Sequence, residues 1–302
     1  MKVFKLANEY LDTPVAIALG FFDCIHTGHG LLVCTAKEYA ASNGFESALF
    51  TFCNDPSELL GGEKQIYDFK ERAAALENLG LDNLVYADFD GNFAALTPEE
   101  FLNLLTDNLN VKAIITGADY TYGKKARGNV KTLEEFCLDR GIELIIKPFM
   151  TVNGRKISTS DLKNFVKNGD IATLNSLLCE PYFMIGEVER ARGVGKTLGF
   201  PTANICVADG KLPLADGVYA TVLYADNKAY ASMTNVGAKP TFDVKSFSIE
   251  ANILDFAGDL YGKTVKLSFV SRLRDVKKFE SADALKRQLA YDEAQVRKII
   301  KL

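Results

Sequence analysis

The chain contains two histidines, and both fall in one four-residue stretch, His26-Thr27-Gly28-His29. Imidazoles three residues apart on a helix can face the same ligand. Ahead of them, Val15-Ala16-Ile17-Ala18-Leu19 reads as a buried strand ending at Gly20, and His29 to Ala41 reads as a helix. The pair therefore sits on a strand-to-helix turn. Such a turn offers open backbone N–H groups and a partial positive charge, both suited to phosphate. Gly28 leaves room for close approach, and an imidazole can donate to phosphate oxygens as charge develops on them. A lone histidine is more often an ordinary core or surface residue. Two of them, on this turn, point to a phosphate site.

The elements that must hold that turn repeat along the front of the chain. After the first helix come a strand at Ser47–Phe52, a helix from about Glu63 to Leu79 and a strand at Leu84–Ala87. A helix from Pro98 to Leu109 follows, with Thr97 as its N-cap and proline in its first position. A strand at Val111–Thr116, a helix at Lys131–Arg140 and a strand at Ile142–Ile146 close the series. Repeated βα units imply a parallel sheet with helices on both faces, and place the histidine turn at its carboxyl edge, where such folds bind ligands.

The pattern changes after about Tyr182. In Thr264–Phe269 and Phe247–Ile253 every second residue is apolar. This period implies antiparallel strands, arranged as a small barrel or sandwich. A closing helix is capped by Ser281 and lined by Leu285, Leu289, Val296 and Ile299. The change of pattern sets a boundary between a domain at 1–180 and one at 181–302.

Bulk properties exclude several classes. A chain of 302 residues with 48% hydrophobic and 25% charged residues has material for two packed cores. A net charge of −4 gives no basic field for nucleic acid and no polybasic membrane patch. Met1 to Leu6 lacks the apolar core of a signal peptide, and no run approaches the roughly 18 apolar residues of a membrane span. The six cysteines are scattered, without zinc spacing. The expectation is a cytoplasmic protein that acts on small molecules. Its oligomeric state is not written in the sequence.

Gly20-Phe21-Phe22-Asp23-Cys24-Ile25-His26-Thr27-Gly28-His29 resembles the H-x-G-H signature of nucleotidyltransferases, in the form carried by the FMN adenylyltransferase module of bacterial FAD synthetases. Gly117-Ala118-Asp119-Tyr120-Thr121-Tyr122-Gly123 is similar to that family's G-x-D-F-x-F-G segment, and Ile157-Ser158-Thr159-Ser160 stands where I-S-S-T is usual. The resemblance implies a Rossmann-like α/β domain in which Gly20, Phe21, Phe22, Asp23, His26, Gly28, His29, Asp119, Ser158, Thr159, Ser160 and Lys163 bind ATP. FMN would attack the α-phosphorus, with His26 and His29 stabilising charge. Four departures stand out. Cys24 replaces a glycine, and Thr51-Phe52-Cys53-Asn54-Asp55-Pro56 replaces T-F-D-P-H-P. Asp161 and Lys163 stand where arginine is common.

Gly199-Phe200-Pro201-Thr202-Ala203-Asn204 resembles the G-x-P-T-A-N signature of riboflavin kinases. An extended chain puts Thr202 and Asn204 on one face. In that family they help hold Mg²⁺ and ATP phosphates, a role that suits an ion preferring oxygen ligands. Arg192 to Thr197 forms a basic, glycine-containing loop before the motif, and Asn235 to Thr241 matches a further family segment. The resemblance implies an antiparallel β-barrel in which Gly193, Gly195, Lys196, Thr197, Pro201, Thr202, Asn204, Asn235 and Arg274 bind ATP and flavin. Glu250 would be the catalytic base. By itself, Glu250 reads as a solvated carboxylate on a strand. Motifs of both modules occur in the family's order along nearly the whole chain. The implied activity is bifunctional: riboflavin to FMN, then FMN to FAD, each with Mg²⁺ and ATP. The departures leave two alternatives, a kinase with a degenerate front half and a non-catalytic flavin or nucleotide sensor.

Overall fold

The computed structural model describes residues 1–149, 151–152, 155–189, 202–238 and 247–302. The chain forms two compact units, Met1–Thr159 and Ser160–Leu302.

The first unit contains strands β1 (Lys2–Lys5), β2 (Leu11–Leu19), β3 (Glu46–Phe52), β4 (Asn83–Ala87), β5 (Leu109–Gly117), β6 (Thr121–Tyr122), β7 (Gly128–Asn129), β8 (Glu143–Lys147), β9 (Thr151–Val152) and β10 (Arg155–Lys156). Its helices are α1 (Thr27–Asn43), α2 (Ser57–Leu60), α3 (Phe69–Asn78), α4 (Gly91–Ala95), α5 (Pro98–Asn108) and α6 (Val130–Arg140). Six strands make one parallel sheet in the order β1-β4-β3-β2-β5-β8. Chain order reverses beside β2, so the crevice between the carboxyl ends of β2 and β5 is the switch point where such sheets bind ligands. The histidine turn follows β2 and the Gly117–Gly123 segment follows β5. Val15, Ile17 and Ile114 are fully buried. Each such side chain contributes about 1.5–3 kcal/mol relative to exposure.

Helix α3 starts six residues later than the apolar pattern suggests. Asp68 is its N-cap and forms a capping box with Glu71. The preceding segment is held by distant carboxylates. Asp23 Oδ1 accepts from the Ile66 N–H at 2.6 Å, and Asp55 Oδ2 accepts from the Gln65 N–H at 2.9 Å. These tertiary hydrogen bonds override local helix propensity.

The second unit holds α7 (Thr159–Asn168, whose first residue closes the first unit), α8 (Ile171–Leu177), six strands and a final helix α9 (Ala282–Ile299). The strands are β11 (Phe183–Glu189), β12 (Thr202–Val207), β13 (Gly217–Ala225), β14 (Lys228–Ala238), β15 (Phe247–Ile253) and β16 (Thr264–Arg274). They close into an antiparallel barrel in the order β11-β12-β15-β14-β13-β16. The change of patterning lies near 180, but by packing the division falls at 159/160. Helices α7 and α8 are tied to the barrel unit: Ala215 N–H donates to Val166 O, and Asn175 Nδ2 donates to Phe269 O.

Val218, Ala220, Val222 and Met233 cluster with Val296 of α9, so they lie on the outer face of the barrel wall. Tyr219, Thr221 and Leu223 alternate with them and fill the interior. Ser281 caps α9 as expected, accepting from the Ala284 N–H. Ile299, expected on the inner face, is 41% exposed, while Ile300 is buried. The helix ends between them, and the extended backbone of Ile300 (φ −102°, ψ 116°) breaks the helical period and redirects its side chain.

Candidate active sites

In the first unit, His26 is itself the N-cap of α1, with extended backbone at φ −79° and ψ 168°. Its Nδ1 accepts from the N–H groups of Gly28 (3.1 Å) and His29 (3.2 Å). An acceptor Nδ1 leaves the proton of the neutral ring on Nε2. His29 has the opposite tautomer. Its Nδ1 lies 2.6 Å from the Cys24 carbonyl oxygen, which can only accept. Neutral His29 therefore holds its lone pair at Nε2. The rings stack with centroids 3.7 Å apart, and Phe22 packs on His29 at 4.7 Å. Desolvation lowers His29 to about 4, and desolvation, followed by the charge of His29, lowers His26 to about 3. The sequence suggested open amides here. Instead, those of Gly28 and His29 bind the His26 ring.

The loop ahead of α1 is held from below. Phe22 is buried with a left-handed backbone (φ 54°), and a Cβ on Gly20 would stand 2.8 Å from its ring. The Phe22 ring thus leaves no room for a side chain at Gly20. Arg72 of α3 is fully buried beneath the loop. Its Nη1 donates to Phe21 O (3.0 Å) and Thr51 Oγ1 (2.9 Å), and its Nη2 donates to Phe52 O (2.7 Å). Its guanidinium also lies over the Phe21 ring. Burial lowers Arg72 to about 10, with Asp23 and Asp68 pulling the other way. It remains charged at neutral pH. Sequence reasoning missed Arg72, because an arginine on an amphipathic helix normally faces water.

A cavity of about 360 Å³ opens beside this loop. Gly20 and Phe21 form one side, and Phe52, Phe93, Phe101 and Tyr122 form much of the rest. The ring of Phe52 meets Phe93 edge-on at 5.0 Å, and Tyr120 stacks on Tyr122 at 5.5 Å. Phe21, Phe52, Tyr120 and Tyr122 fall in segments that carry the family resemblance, but Phe93 and Phe101 come from other elements that no motif marks. The volume falls in the usual range of small-molecule pockets, about 300–1,000 Å³.

The altered loop after β3 is also accounted for. Asp55 is buried and accepts from the N–H groups of Ser57 and Gln65. The Cys53 thiol donates to Asp88 Oδ1 at 2.8 Å, and Lys5 binds the same carboxylate. Burial, with the Asp88 contact, pushes the Cys53 thiol up to about 11, so it stays protonated. Asp119 is exposed, and a Cβ on Gly117 would stand 3.2 Å from its Oδ1. Ser158 and Thr159 end the first unit, and Ser160 and Lys163 lie on α7 in the second.

In the second unit the barrel register aligns residues far apart in sequence. Asn204 on β12 is the direct partner of Glu250 on β15, and Glu250 is the direct partner of Asn235 on β14. The row continues through Val218 to Arg274. Direct partners share a face, and Val218 places this row on the outer wall near α9. Thr202, two residues before Asn204, lies on that face too. The Arg274 guanidinium is bound to Asp292 of α9, with Nε and Nη2 at 2.9 and 2.8 Å from Oδ2. Gly193, Gly195, Lys196, Thr197, Pro201 and the 239–241 part of the Asn235 segment lie outside the described residues.

The chain thus carries a histidine turn at the switch point of a parallel sheet and an Asn–Glu–Asn row on a closed barrel. Together they define a two-domain, nucleotide-dependent transferase. The family models divide the chain in the same way, with FAD synthetase matching residues 9–161 and riboflavin kinase matching 178–300. The chain belongs to the bifunctional riboflavin kinase/FMN adenylyltransferase family. It is 34% identical to the protein of that description from Bacillus subtilis (strain 168), over 92% of this chain and 90% of that one. It is 30% identical to the Escherichia coli (strain K12) protein over 100% and 99%. A crystal structure from Streptococcus pneumoniae, described as a macrolide-efflux protein, has the same fold with a TM-score of 0.88, 31% identity and coverage of 98% and 99%. Among the described residues, no helix is long and apolar enough to cross a membrane.

Proposed function

We propose that the barrel half phosphorylates riboflavin to FMN and the parallel-sheet half converts FMN to FAD. In the first step the ribityl 5′-hydroxyl oxygen attacks the γ-phosphorus of ATP. The bond from that phosphorus to the β-bridging oxygen breaks, ADP leaves, and Glu250 takes the hydroxyl proton. Thr202 and Asn204 offer neutral oxygens on one face, a donor set that fits Mg²⁺ beside phosphates and water, and the ion would neutralise triphosphate charge. A cavity of about 160 Å³ lined by Val188, Thr202, Ala203, Phe256 and Tyr261 is our choice for the adenine.

In the second step a phosphate oxygen of FMN attacks the α-phosphorus of another ATP, and pyrophosphate leaves. His26 and His29 sit where that charge develops, and Ser158, Thr159, Ser160 and Lys163 are our further candidates for ATP contacts. The observation that carries this step is the aromatic cavity sharing Gly20 and Phe21 with the phosphate turn. It can stack a flavin ring next to the nucleotide. The free cysteines fit a reducing, cytoplasmic setting.

The test uses FMN, ATP and Mg²⁺ with the full chain and Phe93→Ala. The unsubstituted chain should release one pyrophosphate per FAD. Phe93→Ala should raise KM for FMN about tenfold, the loss of one stacking wall, and leave FMN formation from riboflavin intact. An unchanged KM for FMN would remove the flavin from this cavity.

A further inference from the structure

The turn at 123–127 between β6 and β7 carries Lys124, Lys125 and Arg127, in a chain of net charge −4. It is fixed at both ends. Gly123 (φ 69°) lies so close to α5 that a Cβ there would stand 2.7 Å from the Pro98 nitrogen. The Lys124 N–H donates to Leu96 O at 2.7 Å. Past the turn, Asn129 caps α6. Between these anchors Lys125 and Ala126 are both left-handed, at φ 56° and 53°. Non-glycine residues hold that conformation when their surroundings impose it, and such strain gathers at ligand sites.

Lys125 and Ala126 also line the aromatic cavity, and Lys125 is the one cation among the described residues that do so. Lys124 acts electrostatically on Glu100. The side chains of Lys125 and Arg127 make no hydrogen bond or ion pair among the described residues. The fold thus holds an uncompensated cation at the edge of an otherwise apolar and aromatic pocket.

We propose that Lys125, supported by Arg127, is the specificity element of the adenylyl step and receives the 5′-phosphate of the flavin. This rests on the flavin reading of the cavity. Stacking on aromatic walls cannot separate riboflavin from FMN, because the two share the ring. A cation at the mouth can, since one ligand is an anion and the other is neutral. It also reduces the repulsion between the flavin phosphate and the triphosphate that must meet it. An ammonium on a flexible stem suits a phosphate that approaches and then reacts.

The test compares initial rates of FAD formation by the full chain, Lys125→Met, Lys125→Arg and Arg127→Met. Lys125→Met should raise KM for FMN about tenfold or more, as expected for loss of one charged hydrogen bond, with KM for ATP changed less than about twofold. Lys125→Arg should recover most of the loss, and Arg127→Met should show a smaller rise. Riboflavin, as a competitor of FMN, should keep its inhibition constant in Lys125→Met. An unchanged KM for FMN, an equal rise for ATP, or a matching loss of riboflavin inhibition would overturn the proposal. If the unsubstituted chain makes no FAD, the functional reading fails by itself. The turn is then read by flavin fluorescence titration of the same proteins. Weaker binding of FMN alone in Lys125→Met supports the assignment, and equal binding overturns it.

Discussion

Glu250 and Asn204 are direct cross-strand partners on β15 and β12, with Asn235 completing the row on β14. Residues 46 positions apart in the chain are thereby set about 5 Å apart at Cβ. Glu250→Gln keeps the shape and removes the proposed base. It should lower the rate of FMN formation by about 10²–10⁴-fold, the usual size of general-base catalysis. FAD formation from supplied FMN should continue. Separate assays with riboflavin and with FMN as substrate measure both.

His26 and His29 predict a pH dependence of stability. Both rings are held below their ordinary value of 6.5, at about 3 and about 4, chiefly by desolvation. Below 6.5 the unfolded chain therefore binds protons that the folded rings refuse. The stability from this pair is complete above pH 6.5 and is lost progressively as pH falls toward the folded values. His26→Asn keeps an N-cap acceptor but removes one titrating ring. Urea unfolding at about pH 7 and about pH 5.5 should show a shallower decline in His26→Asn than in the parent. Parallel declines would mean that the rings do not titrate as described.

Arg72 joins the carbonyls of Phe21 and Phe52 under the first site. Arg72→Met leaves buried acceptors without donors, at about 1–3 kcal/mol each. We expect a loss of about 3 kcal/mol in unfolding free energy. Adenylyl transfer should weaken far more than riboflavin phosphorylation. Arg72→Lys should fall between. Equal losses in both activities would assign Arg72 to general stability only.

The pair Arg274–Asp292 fastens β16 to α9, with Asp292 2% exposed and Gln288 donating to its other oxygen at 2.7 Å. Removing Arg274 strands the buried Asp292 carboxylate. Arg274→Met should therefore destabilise the barrel unit by about 3–5 kcal/mol. Thermal melting followed with kinase activity checks this. A change below about 1 kcal/mol, the size of a surface pair, would show that the pair is solvated.

Much of this architecture is legible in the residues. Buried parallel strands such as Val15–Leu19 are written as continuous apolar runs, and barrel strands such as Thr264–Phe269 as strict alternation, so both fold classes follow from pattern. Beginnings and ends set by distant groups are not legible. The start of α3 depends on Asp23 and Asp55, which bind the Ile66 and Gln65 amides. β1 is four residues long with little pattern of its own. For the sites, the motifs name His26, His29, Thr202, Asn204 and Glu250, but not how they are bonded. The use of His26 Nδ1 as a helix cap, the buried Arg72 and the aromatic cavity all depend on tertiary contacts between separate elements.

The most direct test of the account supplies the purified full chain with riboflavin, ATP and Mg²⁺ and resolves the flavins by chromatography over time. The account predicts that FMN appears first and FAD follows. His29→Ala should stop the sequence at FMN. Accumulation of FMN with no FAD in the unsubstituted chain would contradict the two-step activity, and unchanged riboflavin would contradict catalysis altogether.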